Sequence, residues 1–206
     1  MNNNYKRYEY EDYSSYLKSQ LRHANTMDRT HRRPFARYIG QIQKFFPECK
    51  KILCIGSRDV SEVYALRSAG YDAVGIDLFS TDISTIKLMD MHNIINEFSK
   101  DEFDLIYACH ALEHSYDPEI VLQGFKKVSK LGAFIVLPFL LEPNFKDPVQ
   151  FNFMNVGAVD GTGVSESLIE EDFANLGCNC TVTDIQLDPF GNREDGYWIT
   201  VRWQDN

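Results

Sequence analysis

The chain lacks any run of apolar residues that approaches the roughly 20 needed to cross a membrane, and its N-terminus is polar. It also lacks a C-x-x-C pair, and its number of cysteines is odd, so the pattern predicts neither a disulfide framework nor a cysteine zinc site. We therefore expect reduced thiols in a cytoplasmic protein that does not bind membranes. The five cysteines are Cys49, Cys54, Cys109, Cys178 and Cys180.

Positive charge is scarce as well, with 21 lysines and arginines against 30 acidic residues and a formal net charge of −9. A chain this acidic does not present a general nucleic-acid-binding surface. Its 206 residues suit one globular domain that is large enough to bury a sizeable core. There is no internal repeat and no low-complexity linker to divide it.

Glycine is sparse at the turn where a nucleotide site would be built. An apolar strand at residues 51–55 is followed by Gly56, a helical pattern, and a second strand that ends on Asp77. Gly56 lets the backbone come close to a ligand, and a carboxylate about 20 residues further on can accept both hydroxyls of a ribose. This βαβ unit predicts a site for a nucleoside-containing cofactor.

The same turn lacks the G-x-G-x-x-G spacing that a pyrophosphate requires. Asp59, as the expected N-cap, and Glu62, as its capping-box partner, place two carboxylates where a pyrophosphate would need bare amides. A phosphate-free cofactor is therefore favoured. An NAD-dependent oxidoreductase is the alternative, because it would share the βαβ unit and Asp77.

Four segments follow one another along the chain: KILCIGS at 51–57, VGIDLF at 74–79, LMDMHN at 88–93 and FDLIYACHALEHSYDP at 103–118. They resemble motif I, the ribose-binding strand end, the adenine-binding loop and the fourth strand of the class I S-adenosylmethionine-dependent methyltransferases, of the methyltransferase type 11-like kind. The resemblance runs from about residue 50 to the C-terminus. The chain departs from the family pattern at Cys54, where an acid is usual, and at Arg58 and Val60, where further glycines are usual.

The resemblance implies an α/β fold: a doubly wound, mostly parallel, Rossmann-like sheet of seven strands with a C-terminal antiparallel hairpin. It implies S-adenosyl-L-methionine as the cofactor and methyl transfer as the activity. The cofactor-binding residues that it implies are Gly56, Ser57 and Arg58 for the methionine end, Asp77 for the ribose, Leu78 for the adenine face, Asp90, Met91 and His92 for the adenine edge, and Cys109 at the end of the fourth strand.

Residues 1–47 and 48–206 differ in pattern. The first part predicts a tyrosine-rich arm and two helices, at 15–27 and 34–46, which we expect to cover the first strand and partly roof the cofactor as a lid. The second part predicts the cofactor-binding domain. Its further helices are expected at 94–99, after Asp117, and at 165–176, and its further strands at 85–88, 103–108, 133–137, 181–187 and 197–203.

The loop after the fourth strand carries the candidate base. Methyl transfer depends on in-line positioning, and a base is needed only where the acceptor carries a proton. If the loop begins with a helical turn, His110, Glu113 and His114 share one face, so His110 or His114 would take the proton and Glu113 would orient it. The alternative is that Glu113 and His114 support the fold while His110 lines the pocket. A divalent metal on this H-x-x-E-H cluster is another alternative, but no fourth ligand can be named and no metal is predicted.

The acceptor is expected to be a small or medium-sized molecule that is methylated at oxygen or nitrogen. A basic run in the first part of the chain is usually a solvated helix face. The alternative is a lid arginine that binds a phosphate or carboxylate, which favours an anionic acceptor. The run comprises Arg22, His23, Arg29, His31, Arg32, Arg33 and Arg37.

The segment 138–163 is long for a loop and holds four phenylalanines, which offer either an apolar wall for the acceptor or a cover for the sheet edge. They are Phe139, Phe145, Phe151 and Phe153. A domain that retains the cofactor pocket without catalysis is a further alternative, because the turn after Gly56 departs from the family pattern. The oligomeric state has no signal in the sequence.

Overall fold

The computed structural model describes residues 5–7, 10–26, 35–58, 60–80, 82–138, 151–153, 166–190 and 193–204. The strands are β1 (Tyr5–Arg7), β2 (Lys51–Ile55), β3 (Asp72–Asp77), β4 (Ile86–Leu88), β5 (Phe103–Cys109), β6 (Ser129–Pro138), β7 (Phe151–Phe153), β8 (Cys180–Phe190) and β9 (Arg193–Trp203). The helices are α1 (Tyr13–Thr26), α2 (Phe35–Phe45), α3 (Ser61–Ser68), α4 (Ile94–Glu97), α5 (Pro118–Val128) and α6 (Glu166–Asn175). Single turns of 3₁₀ helix cover Met91–Asn93 and Leu112–His114.

Seven strands form one sheet in the order β4-β3-β2-β5-β6-β9-β8. Only β9 runs against its neighbours in this sheet, and the remaining pairs are parallel. One face is covered by α4, α5 and α6, through residues such as Ile94, Phe125 and Phe173. The other is covered by α2 and α3, through Ile42 and Val63 among others. The prediction of a doubly wound, mostly parallel sheet with a C-terminal hairpin is confirmed.

The two central strands, β2 and β5, read as nearly continuous apolar runs because helices bury both of their faces. Leu53 of β2 lies opposite Val74 of β3 on one side and Ile106 of β5 on the other. This in-register parallel pairing brings the carboxyl ends of β2, β3 and β5 to one edge of the sheet. The loops that follow these strands therefore meet there.

Several element boundaries differ from the sequence expectation. Strand β6 begins earlier than predicted because Ser129 pairs with Phe103 of β5. Both hairpin strands are longer than predicted because their antiparallel pairing extends beyond the apolar positions. Helix α4 is only four residues long. The predicted cap of α3 is wrong: Val60 holds the N-cap position without a side-chain hydrogen bond, and Asp59 lies outside the described residues. Asp117 caps α5 as predicted, with Pro118 in its first turn.

The N-terminal elements occupy two different places. Helix α2 belongs to the core, since the ring of Tyr38 lies 5.6 Å from that of Phe134 and 5.8 Å from that of Trp198. Helix α1 is buried along one narrow stripe, formed by Tyr16, Gln20 and Ala24. Strand β1 pairs antiparallel with β7 as a separate two-stranded sheet, and β7 contacts the Leu112–His114 turn.

Candidate active site

The carboxyl-end edge of the sheet collects the residues that the sequence predicted for the cofactor and for the candidate base. The first group, Gly56, Ser57 and Arg58, follows β2, and Asp77 closes β3 with Leu78 directly after it. The loop after β4 supplies Asp90, Met91 and His92, and Cys109 ends β5 just before His110, Glu113 and His114. The edge thus has the layout of an open α/β ligand site.

At Gly56 the backbone comes close to a neighbouring loop, as expected for a glycine in this turn. Its φ of +71° lies in the left-handed region that favours glycine. A Cβ at this position would lie 2.7 Å from the Cβ of Ala111. The amides of Gly56 and Ser57 both donate to the carbonyl oxygen of Ile76, at 2.9 and 3.1 Å. The turn after β2 is therefore packed directly against the loop that carries the candidate base.

Asp77 lies buried at the end of β3, with only 6% of its surface exposed. Its Oδ1 accepts a 2.7 Å hydrogen bond from the amide of Phe79, and the Nε of Arg58 lies 4.0 Å from the same oxygen. Burial raises the pKa of the Asp77 carboxyl, and it outweighs the opposite effects of the Phe79 amide and the Arg58 charge. The carboxyl group is thus held in place at the end of β3, as a residue that binds the hydroxyls of a ribose must be.

Asp90 and His92 form a rigid pair in the loop after β4. The Nε2 of His92 accepts hydrogen bonds from the amides of Tyr116 and Asp117, both at 3.0 Å. Because two N–H groups donate to Nε2, the ring proton must lie on Nδ1, which donates to Oδ1 of Asp90. His92 therefore joins the loop after β4 to the start of α5 and fixes the orientation of the Asp90 carboxyl.

The second carboxylate oxygen of Asp90 is buried and has no hydrogen-bond partner among the described residues. Such an oxygen calls for an N–H donor, because a buried acceptor without a partner is unfavourable. The exocyclic amine of adenine is a donor of this kind. Met91, in the same loop as Asp90, packs against the core. Leu78 is half-buried and directly follows Asp77. The residues at this end fit an adenosine moiety.

The candidate base lies next to its predicted partner. The Nδ1 of His110 is 3.4 Å from Oε1 of Glu113; about a fifth of the His110 side chain is exposed (22%), whereas Glu113 is buried (2%). The sequence had suggested that the two share one face of a helical turn, and this is not the case. Instead, His110 precedes the 3₁₀ turn and has a φ of +52°, an uncommon conformation for a residue with a side chain and one that clusters at functional sites.

Glu113 is buried, yet the pKa of its carboxyl is lowered. Burial alone raises the pKa of its carboxyl, but the hydrogen bond from His110 and the charges of His114 and His110 together lower it below the ordinary value. Its Oε2 has no hydrogen-bond partner in the described part of the chain. A buried carboxylate that contacts an imidazole can orient the ring and stabilise its protonated form.

Three tyrosines that the sequence did not single out surround His92. The rings of Tyr13 and Tyr16, from α1, lie 6.3 and 5.8 Å from the imidazole, and that of Tyr116 lies 6.4 Å from it. The one signal in the sequence was the abundance of tyrosine near the N-terminus. Composition of this kind does not say which ring faces inward.

Only some members of the basic run and of the phenylalanine wall are among the described residues. Arg37 stacks on Trp198, with 4.5 Å between the guanidinium carbon and the ring centre, which is a packing role. Arg22 is exposed on α1. Phe151 and Phe153 belong to β7. The remaining members of both predictions lie outside the described residues: Arg29, His31, Arg32, Arg33, Phe139 and Phe145, together with the side chain of His23.

Comparison with known families decides the nature of this site. Residues 53–137 match the model of the methyltransferase domain family. The match identifies this stretch as a methyltransferase domain, and the chain has the fold of S-adenosylmethionine-dependent methyltransferases. S-adenosylmethionine is accordingly the cofactor of this methyltransferase, and the match favours that interpretation over the NAD-dependent oxidoreductase. No curated protein matches the sequence.

Solved structures with the same fold accompany the family match. The methyltransferase is 13% identical to the Burkholderia thailandensis 1,6-didemethyltoxoflavin-N1-methyltransferase, with a TM-score of 0.72 over 97% of this chain and 94% of that one. A methyltransferase from Methanosarcina mazei is 16% identical, with a TM-score of 0.56 over 79% and 96%. The Haemonchus contortus phosphoethanolamine N-methyltransferase 2 is 13% identical, with a TM-score of 0.53 over 83% of this chain and 53% of that chain.

Within the part of the chain that the structure describes, no three His, Cys, Asp or Glu side chains are grouped so as to hold a metal ion. No helix among the described residues of this methyltransferase has the length and apolar character of a membrane span. None of the five cysteines forms a disulfide, and all five are buried.

Proposed function

We propose that this methyltransferase methylates a nitrogen or oxygen atom of a small or medium-sized molecule, and that His110 removes the proton of the acceptor. The observation that carries this proposal is the contact between His110 and the buried carboxylate of Glu113. S-adenosylmethionine supplies the methyl group as an electrophilic sulfonium. The protein's task is then to align the acceptor atom and take up its proton.

The position of His110 suits that task. It directly follows β5, and its amide donates to the carbonyl oxygen of Val136 at 3.0 Å, which anchors the backbone at the edge of the sheet. The Gly56 turn packs against Ala111, the next residue. In this arrangement Glu113 orients the imidazole from the buried side, and His114 lies near enough to help lower the pKa of the Glu113 carboxyl. His110 is the base, and Glu113 and His114 are its positioning residues.

Nitrogen is supported as the methylated atom by two of the similar structures. The Burkholderia thailandensis and Haemonchus contortus proteins are both named as N-methyltransferases, and both structures contain S-adenosylhomocysteine. Their acceptors differ from one another, so the class of small, nitrogen-bearing molecules is as far as this support extends.

The division of the chain is part of the same proposal. Residues 48–206 would form the cofactor-binding domain of a cytoplasmic enzyme. Within residues 1–47, α1 would act as the lid, since α2 packs in the core. The contacts of Tyr13 and Tyr16 with His92 support a covering role for α1. An anionic acceptor would be bound by arginines of this lid, of which Arg22 is exposed on α1.

A transfer assay tests the role of His110. Tritiated methyl groups from S-adenosylmethionine would be followed into a panel of small amines, nitrogen heterocycles, phenols and phosphorylated alcohols. On the best acceptor, His110→Ala should lower kcat at pH 7 by about 10²–10³-fold, the usual contribution of a general base. The loss should shrink as the pH rises, because the acceptor then ionises without help. Glu113→Gln should show a smaller loss with the same pH trend.

Lys87→Gln, on the exposed surface of β4, is the matched control and should behave like the unchanged protein. Affinity for S-adenosylhomocysteine should stay within about twofold in all of these variants. An equal loss for His110→Ala at every pH would show that His110 does not take the proton. Tight binding of S-adenosylhomocysteine without transfer to any acceptor would favour the non-catalytic alternative instead.

A further inference from the structure

Tyr16 of helix α1 is a buried polar group without a partner. Its side chain is fully buried, and its hydroxyl makes no hydrogen bond to any of the described residues. Native proteins rarely bury a hydroxyl in this way unless a ligand, an ion or a water satisfies it. The neighbouring Tyr10 differs, since its hydroxyl bonds to Ser19 at 3.2 Å.

The Tyr16 ring lies over the adenosine end of the site. Its centre is 5.8 Å from His92, in an edge-to-face arrangement, and 5.5 Å from Tyr116. Tyr16 thus bridges the loop after β4 and the loop after β5. Burial, followed by the charges of Tyr10 and Asp77, raises the pKa of the Tyr16 phenol well above its ordinary value. The hydroxyl therefore stays protonated, and Asp77 is near enough to influence it.

The adenosine end otherwise has a surplus of acceptors. The carboxylates of Asp77 and Asp90 only accept hydrogen bonds when they are ionised. The hydroxyls of a ribose both donate and accept, so a diol that donates to Asp77 still has oxygen lone pairs to satisfy. The protonated phenol of Tyr16, at the same end of the site, can supply this donor.

We propose that Tyr16 is a cofactor-binding residue that donates a hydrogen bond to the ribose of S-adenosylmethionine, so that α1 closes over the bound nucleoside. None of the motifs in residues 51–118 includes this residue. Among the described side chains of this helix, only the narrow stripe of Tyr16, Gln20 and Ala24 is buried. A small buried face of this kind can open at low cost and close again, which lets the cofactor enter and leave.

The test is calorimetric and needs no acceptor. Tyr16→Phe removes one oxygen atom and keeps the ring. It should weaken the binding of S-adenosylhomocysteine about three- to tenfold, as expected for one hydrogen bond. 5′-Methylthioadenosine, which lacks the amino-acid tail, should lose affinity by the same factor. Its 2′,3′-dideoxy counterpart, which has no diol, should bind both forms of the protein equally.

Tyr64→Phe is the matched control, because Tyr64 is a half-exposed tyrosine of α3, and its affinities should not change. A thermal melt without ligand checks the fold of Tyr16→Phe, which should melt at or above the temperature of the unchanged protein because the oxygen it removes has no partner. Unchanged affinity of Tyr16→Phe for S-adenosylhomocysteine would overturn the proposal. So would a loss that is seen with S-adenosylhomocysteine and not with methylthioadenosine, since the hydroxyl would then contact the tail.

The rate of release tests the closing role of α1. Tyr16→Ala removes the anchoring ring, and stopped-flow displacement should show S-adenosylhomocysteine leaving it at least tenfold faster than Tyr16→Phe. Equal release rates would show that α1 does not close over the nucleoside. Neither measurement involves methyl transfer, so both stand apart from the proposed role of His110.

Discussion

At the scale of single residues, Asp172 is the most unusual group away from the site. Its side chain is fully buried in α6, and both carboxylate oxygens are without a hydrogen-bond partner among the described residues. Burial, with a smaller effect of the Glu171 charge, raises the pKa of Asp172 from 3.8 to about 6. In the folded protein the Asp172 carboxyl thus stays neutral up to about pH 6, whereas in the unfolded chain it releases its proton near pH 4.

This difference makes stability depend on pH in a stated direction. Between about pH 4 and pH 6 the folded state binds more protons at Asp172 than the unfolded state, so its contribution to stability falls as the pH rises. Asp172→Asn cannot ionise. It should raise the free energy of unfolding at pH 7 by about 1–3 kcal/mol relative to the unchanged protein and leave it nearly equal at pH 4. Urea unfolding at the two pH values measures both.

Glu171→Gln is the control for this prediction. Glu171 is exposed, so its removal should shift the stability at pH 7 only slightly. If Asp172→Asn were less stable than the unchanged protein at pH 7, the carboxylate would be satisfied by a partner in solution, and the raised pKa would be excluded.

At the scale of elements, β6 and β9 lie too close together at Gly132 to leave room for a side chain. A Cβ on Gly132 of β6 would lie 1.8 Å from the carbonyl oxygen of Val201 in β9. Since that atom belongs to the backbone, a side chain at this position must push the two strands apart. The pairing of Gly132 with Arg202 opposite it would then be lost.

Two glycine substitutions of opposite effect test this account. Gly132→Ala should lower the free energy of unfolding by about 1–3 kcal/mol or more, because backbone atoms cannot relax as a side chain does. Gly40→Ala is its counterpart in α2, where a Cβ would meet nothing within 4 Å. It should stabilise the protein by about 0.5–1 kcal/mol through helix propensity. Chemical unfolding of both variants decides the matter, and a neutral Gly132→Ala would contradict the observed strand register.

At the scale of the whole molecule, cofactor binding is linked to stability. A ligand that binds only the folded state stabilises it by about 2.7 kcal/mol at 100 times its Kd. For a chain of this size that corresponds to a rise in Tm of roughly 5–10 °C. S-adenosylhomocysteine should produce this rise and NAD should not. Differential scanning calorimetry with each ligand measures the effect directly.

Asp77→Ala is the companion variant for that measurement. Loss of hydrogen bonds to a charged carboxylate should weaken binding by about 1.5–3 kcal/mol per bond, so most of the rise in Tm should disappear at the same ligand concentration. An equal rise with NAD, or a full rise in Asp77→Ala, would count against the assignment of the ribose site.

Local sequence patterns were sufficient to predict the strands and turn residues that build the site. The apolar runs of β2 and β5, the single glycine at position 56 and the acid that ends β3 are all read from neighbouring residues, and the structure places them at one edge of the sheet. They are predictable because strand periodicity and turn chemistry depend on a few adjacent positions. Element ends were less predictable: the N-cap at Val60 and the long hairpin depend on what each strand or helix meets in space.

By itself, then, the sequence determined the order of strands and helices in the main sheet, and it predicted which loops carry the site. Only the tertiary structure decided which side chains complete the site. The ring of Tyr16 meets His92 across more than 70 residues of chain, the amides of Tyr116 and Asp117 select the tautomer of His92, and the left-handed turn at His110 sets its imidazole against Glu113. These contacts join positions far apart in the chain or depend on the packed backbone between them. No local pattern encodes either, because both arise only when the sheet brings its loops together.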